Sequence, residues 1–410
     1  MARTQAAYSP SKISGAVSGY AEKVAESELA LHILLVMPLL FVLGHPATTR
    51  ALRVLLLFGL FLYTLFNARA LRTIKENISN LSQLQRALLI VCAASIVGSA
   101  LLHTRTFDAA TLGSAPQYLG LCTWLLFLYF GLLFSSSAQL LFKKTPLVLI
   151  SLVVFVSATM SLPDIVLGYR ARGLLLLSTS MATYALLLLV LALYAYTKGS
   201  SKCWSLGGAF LAMSTIALTK SRIGYTYLVL VILCWAYYVL RRKSGQQFLL
   251  VVALLVFGGL FALSSIVRFN PHVIYNGVAY RLEIYRYSLE DLNISKPLGN
   301  GVETNPERLN SSNNLAPSIM QTLHDGYNFT SSHNLFLDIS RYFGIAFGVA
   351  LLWLFCISFN NLARQKNALY LLLLAGALMA DALVNVPSIE LMSLLFLFLF
   401  ITGQKISPTD

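Results

Sequence analysis

Charge is what this chain has least of: 11% of its 410 residues are Asp, Glu, Lys or Arg, while 57% are hydrophobic and the mean hydropathy is +0.72. A soluble domain needs polar surface on every element, so an ordinary water-soluble globule is excluded. Acidic residues are scarcest, 16 against 30 basic, which leaves a formal charge of +14. Metal-binding or disulfide cysteine spacing is also missing. Cys92, Cys122, Cys203, Cys234 and Cys356 lie in or at the ends of apolar runs, with no CxxC or Cys/His pattern, and read as small buried hydrophobes. No nucleotide-binding glycine loop, HExxH or DxD pair occurs, so no cofactor and no metal is expected. The alternating pattern of a membrane β-barrel is absent. The two halves do not resemble each other, which argues against a transporter built from repeats.

What the chain has instead is apolar runs of membrane-spanning length. About twelve can be placed, near 29–44, 51–66, 86–102, 116–134, 146–161, 173–197, 203–219, 223–240, 247–266, 333–359, 367–385 and 388–403. Backbone groups in hydrocarbon must be satisfied within the segment, so the expected fold is all-α, a polytopic transmembrane helical bundle. The expected organisation is a cytoplasmic segment 1–28, spans over 29–266, one large loop 267–332 containing an amphipathic helix, three further spans over 333–403, and a short tail 404–410. The N-terminal segment mixes Lys12 and Lys23 with glutamates and is too polar for a signal peptide, so the first span is expected to insert uncleaved.

Orientation follows from Arg241, Arg242 and Lys243, a cluster expected on the cytoplasmic side. Counting spans outward from it puts both termini inside, with Arg69, Arg72, Lys75, Arg86, Lys143, Lys144, Lys198 and Lys202 in inner loops. Basic residues spread over short inter-span loops are expected to set topology and meet anionic lipid, which removes the nucleic-acid reading of the high charge. A second set is expected outside: Arg170 and Arg172 in one loop, Lys220 and Arg222 in another, Arg268, Arg281, Arg286, Lys296 and Arg308 in the large loop, and Arg341 just beyond it. Cations on the outer face run against the topological rule, and an anionic ligand there would explain them.

Three places carry candidate chemistry. Lys220-Ser221-Arg222 sits in a tight connection between apolar helices, where Arg suits bidentate phosphate recognition and Lys adds a point charge; a pair snorkelling to lipid phosphates is the plainer reading. Tyr280 to Leu292, with Arg281 and Arg286, fits an amphipathic helix lying along the membrane surface, and its tyrosines suit sugar stacking or interfacial anchoring. His333, beside Ser331, Ser332 and Asn334, leads into a helix carrying Asp338 and Arg341. A histidine, with its ordinary pKa of about 6.5, can accept a proton from a sugar hydroxyl, although a histidine at a helix start is also commonly a cap or interface residue. Asp381 is a lone acid within an apolar run.

Taken in order, these residues resemble the bacterial O-antigen ligase and O-antigen polymerase superfamily of polytopic glycosyltransferases. The likeness rests on His333-Asn334, nine residues to Phe343, then Gly344, with Gly348 one place later than the family's second small residue; on Thr219-Lys220-Ser221-Arg222; and on Tyr280-Arg281-Leu282. It covers Thr219 to Gly348 by motif and the first half only by span count. The resemblance implies a bacterial inner-membrane enzyme that transfers a glycan at the periplasmic face from an undecaprenyl-diphosphate carrier to an acceptor sugar, with inversion and without metal. His333, Arg222 and Arg281 would be catalytic. Lys220, Arg170, Arg172, Arg286 and Asn334 would bind substrate. The partners implied are the lipid-linked donor, lipid A–core or another glycan acceptor, and membrane lipid, with no nucleic acid. A single large loop, and Thr183 where a polymerase's spacing after Arg172 would place Gly, favour ligase over polymerase. From a different class, a flippase or other transporter of lipid-linked oligosaccharide would make Asp381 its coupling residue.

Overall fold

A computed structural model describes residues 28–43, 46–104, 115–135, 138–171, 173–175, 178–199, 202–240, 334–365, 367–384 and 389–401, together with isolated positions in 285–299. Among the described residues every regular element is helical. In chain order they are α1 (Glu28–Leu40), whose end tightens to 3-10 geometry over Met37–Leu43, α2 (Pro46–Leu65), α3 (Ala68–Asn80), α4 (Gln83–Thr104) and α5 (Ala115–Phe134). Then come α6 (Lys144–Met160), the short α7 (Leu162–Val166), α8 (Ser178–Thr197), α9 (Lys202–Thr219) and α10 (Arg222–Leu240), followed by α11 (Leu335–Phe343), α12 (Ile345–Leu362), α13 (Ala368–Val384) and α14 (Ile389–Leu397).

Among the described residues, three helical stretches are long and apolar enough to cross a membrane: Gln83–Leu102, Ser178–Thr197 and Ile345–Leu362. A fourth candidate is a pair, Leu52–Leu65 with Ala68–Asn80, bent by 89° at its break. Shorter apolar stretches are Glu28–Leu40, Cys122–Phe134, Lys144–Met160, Arg222–Tyr238 and Ala368–Leu383, and the expected run 247–266 lies outside the described residues. Large apolar side chains stand exposed on the outside of the bundle, among them Leu55, Val97, Phe155, Phe210 and Trp353. Such surface is costly in water and suits hydrocarbon contact.

The centre is α8, apolar on all faces and 83% enclosed by its neighbours α6, α9, α10 and α13. Small residues let these helices approach closely: a Cβ on Gly224 of α10 would lie 2.9 Å from the Ala182 methyl of α8. A second centre is aromatic, where Trp124 of α5 meets Phe343, Phe347 and Phe396 edge-on with ring centroids 5.8, 6.4 and 6.1 Å away.

Two local rules shape the elements beyond periodicity. Ser82 and Gln85 form a reciprocal capping box at the start of α4: Gln85 N donates to Ser82 Oγ and Ser82 N to Gln85 Oε1, both at 3.2 Å. Asn67 caps α3, its side chain accepting from Arg69 N at 2.9 Å, and the chain turns there. Arg69, Arg72 and Lys75, expected in a plain connector, therefore ride on a helix bent off α2. That helix is held to the bundle by Asn77, whose Nδ2 donates to Leu132 O at 2.7 Å from a site only 6% exposed. Asn77→Ala should lower the thermal midpoint in detergent, corresponding to about 1–2 kcal/mol for an orphaned carbonyl and a lost hydrogen bond. Equal midpoints for variant and wild type would mean that α3 is anchored by its apolar contacts alone.

The run expected as one span, 333–359, is two helices. Gly344 has φ of +94°, outside any helical conformation, and separates α11 from α12.

Candidate functional site

Cross-links along the bundle decide which residues share an end. The Tyr238 and Tyr370 rings lie 5.9 Å apart, and Tyr227 Oη donates to Leu373 O at 3.3 Å, so α10 and α13 run antiparallel. The start of α10 at Arg222 and the last turn of α13 at Leu383 are therefore at one end of the bundle. Gln85 Nε2 reaches Ile401 O and Ser99 Oγ reaches Tyr342 O, so the later half of α4 and the junction of α11 with α12 rise to that same end.

The first corner of this end is the connection between α9 and α10. Thr219 Oγ1 donates back to Ile216 O at 2.7 Å and accepts from Ser221 N at 3.3 Å. Ser221 Oγ then accepts from Gly224 N at 3.2 Å, the geometry of an N-cap. Between them Lys220 takes φ of +49°, a conformation disfavoured by about 1–2 kcal/mol for a residue with a Cβ. The strained turn sends its ammonium across to Gly168 O, 3.0 Å away. Ala171 N donates to Leu218 O at 3.2 Å, so the turn that carries Arg170 is stitched to the end of α9. Lys220, Arg170 and Arg222 are thus gathered in one corner. Arg222 occupies the first turn of α10, a turn with no acidic residue of its own, where the helix dipole favours negative charge.

The second corner is built on Asn334. Its Oδ1 accepts from Phe336 N at 3.0 Å and Leu337 N at 3.2 Å, and its Nδ2 donates to Leu383 O at 3.1 Å. Tyr285 Oη donates to the same carbonyl at 3.2 Å. The Asn334 side chain, expected to bind substrate, is engaged at both its polar atoms as a cap and a strut; it fixes the chain immediately after His333. One turn on, Asp338 is 3% exposed with Arg341 Nη1 4.0 Å from Oδ1. A buried acid in the first turn of α11 is favoured by the helix dipole, and the pair places one more charged unit at this end.

Pro297 to Gly299, a described part of the segment expected as the large loop, lies against the junction of α11 with α12 and against α4. A Cβ on Gly299, at φ of +72°, would meet the Tyr342 carbonyl at 2.6 Å, a Cβ on Gly344 would meet the Pro297 carbonyl, and Leu298 packs against Gly98 of α4. This piece is therefore seated on the junction of α11 and α12.

His333, Arg172, Arg281 and Arg286 lie outside the described residues. Two charged residues inside apolar helices take on interest: Arg53, without an assigned role in the sequence, and Asp381, the coupling residue of the transporter alternative. Arg53, in the first half of α2, is 4% exposed, and Asp381 is fully enclosed one turn before the end of α13. The signal for both was a charge inside an apolar run, where burial is costly unless the group has a task. No group of three or more His, Cys, Asp or Glu suited to a metal occurs among the described residues. No family model, no curated protein and no solved structure matches the chain.

Proposed function

We propose that this protein is a multi-pass membrane glycosyltransferase of the O-antigen ligase type, with about twelve spans, a periplasmic loop over 267–332, and its active site at the Arg222 end of the bundle, facing the periplasm. The observation that carries the reading is the segregation of cations. Lys220, Arg222 and Arg170 converge at the end where Asn334 caps the helix after His333, while Lys143, Lys144 and Lys198 lie at the opposite end, beside the Phe142, Tyr194 and Tyr370 rings. One cation set matches the topological rule, and the other contravenes it where a diphosphate would bind.

In this reading an acceptor hydroxyl attacks the anomeric carbon of the donor sugar while the bond to the carrier diphosphate breaks on the opposite face, which inverts the centre. His333 takes the hydroxyl proton, and the leaving undecaprenyl diphosphate carries away the bonding electrons. Arg222, Lys220 and Arg281 balance the charge that grows on it, with Arg170, Arg172 and Arg286 as further anion contacts. Asn334 fixes the start of α11, next in the chain to the histidine. Buried Asp381 is the observation that favours a transporter as the second reading.

The test is purified protein in detergent with an undecaprenyl-diphosphate glycan donor, with and without a lipid A–core acceptor. Product that requires the acceptor supports ligase. Growth of the glycan on donor alone assigns polymerase chemistry, and translocation in vesicles without product from either mixture overturns the enzyme reading. Lys220→Gly refines it: the variant relieves the positive φ, so its thermal midpoint should hold, while affinity for the donor should fall about fivefold for one phosphate-facing lysine. Unchanged affinity would remove Lys220 from the site.

A further inference from the structure

At the end of the bundle opposite Arg222, a cavity of about 460 Å³ opens between α6, α8 and α9. It lies in the size range of small-molecule sites, roughly 300–1,000 Å³. Its wall is apolar where it faces outward, with Leu147, Val148 and Trp204, and its rim carries Lys143, Lys144 and Lys198. Trp204 is 63% and Val148 42% exposed, so the cavity is open along the side of the bundle as well as at its end. Lys143 is balanced by Glu28, whose carboxylate lies 2.7 Å away. No carboxylate among the described residues lies within ion-pair distance of Lys144 or Lys198; the Lys198 ammonium stands 5.9 Å from the Tyr194 ring centroid. Two exposed ammonium groups thus stand over an apolar slot, a pattern that calls for an anionic head with a hydrocarbon tail.

We propose that this cavity is a binding site for an anionic phospholipid of the surrounding bilayer, the phosphate held between Lys144 and Lys198 and an acyl chain laid along Leu147, Val148 and Trp204. The occupant is a bilayer lipid and not a free anion because Val148 is followed at i+4 and i+7 by exposed Leu152 and Phe155, which extend the apolar wall along the outer face of α6. A water-borne phosphate would leave that wall unfilled. Trp204, near the start of α9, sits where an indole lies at a headgroup boundary. The site rests on the membrane reading of the bundle but not on glycan transfer, since it lies at the opposite end from the proposed chemistry. Its consequence is that lipid headgroup charge helps seat the α6–α8–α9 corner.

The experiment titrates phosphatidylglycerol, phosphatidylcholine and inorganic phosphate into delipidated, detergent-solubilised full-length protein, reading bound lipid by native mass spectrometry and the thermal midpoint. Wild type should retain phosphatidylglycerol over phosphatidylcholine and gain midpoint with it, and inorganic phosphate should do neither. Lys144→Gln/Lys198→Gln should lose that preference by roughly thirtyfold, at about fivefold per lysine. Arg72→Gln/Lys75→Gln, which removes the same charge from α3, outside the cavity lining, should keep it. Equal retention of both lipids by wild type, equal loss in the two double variants, or a phosphate effect matching that of the lipid would each overturn the proposal. Lipid preference without any transfer activity would leave this site standing while removing the proposed reaction.

Discussion

Arg222→Ala and His333→Ala should each cut acceptor-dependent glycan transfer by about two to four orders of magnitude while leaving the protein folded. For Arg222 the loss is the charge stabilisation of a departing diphosphate, where deleting one preorganised donor typically costs about 10²–10³ in rate. The fold should survive because the start of α10 is capped by Ser221, not by the arginine, and because Gly224 still seats the helix on Ala182. Arg222→Lys keeps the charge but not the planar fork, and should fall between wild type and the alanine variant. For His333 the loss is proton transfer from the acceptor hydroxyl, typically about 10²–10⁴. The two differ in a second readout. Arg222→Ala should weaken donor binding as well as turnover, whereas His333→Ala should bind donor normally and fail afterwards. Rate measurements on both, with donor affinity measured separately, check this; an Arg222→Ala enzyme with full turnover would move the diphosphate elsewhere.

The second large effect is on architecture. Gly344→Ala should destabilise the protein by about 3 kcal/mol or more, because φ of +94° with ψ of 158° is a conformation essentially restricted to glycine and the new methyl would run into the Pro297 carbonyl. Both consequences fall at one place. The junction of α11 with α12 would shift, and the Pro297–Gly299 piece of the large loop would lose its seat against Tyr342. Since α11 is capped by Asn334, next to His333 in the chain, transfer should fall with stability. Gly59→Ala and Gly207→Ala are the matched controls, since a Cβ at either position meets nothing within 4 Å and alanine suits a helix better than glycine. A Gly344→Ala midpoint equal to those of the controls would mean that the elbow is soft and that the loop is seated by other contacts.

Much of the helical layout was legible without coordinates. The runs near 116–134, 203–219, 223–240 and 367–385 correspond to α5, α9, α10 and α13 within a few residues, since apolar runs between polar connectors are a local property. The tight Lys220–Arg222 connection was legible for the same reason. The bend at Asn67 was harder: its cap signal is a single residue, and α3 carries enough charge to read as a connector. The break at Gly344 was obscured because both sides are apolar, and a glycine inside such a run more often continues a helix than ends it.

The sequence by itself determined the apolar composition, the helical class, the absence of a metal-binding motif, and which cations share a connector. All of these follow from composition and from neighbours in the chain. Only the tertiary structure decided that Asn334 spends its amide on α11 and on Leu383, forty-nine residues away in the chain, that Lys220 reaches back to Gly168, and that Arg53 and Asp381 are enclosed. Those outcomes depend on which helix ends meet. That is set by packing of apolar and aromatic faces that are nearly uniform along the chain, so no local pattern of residues could have announced it.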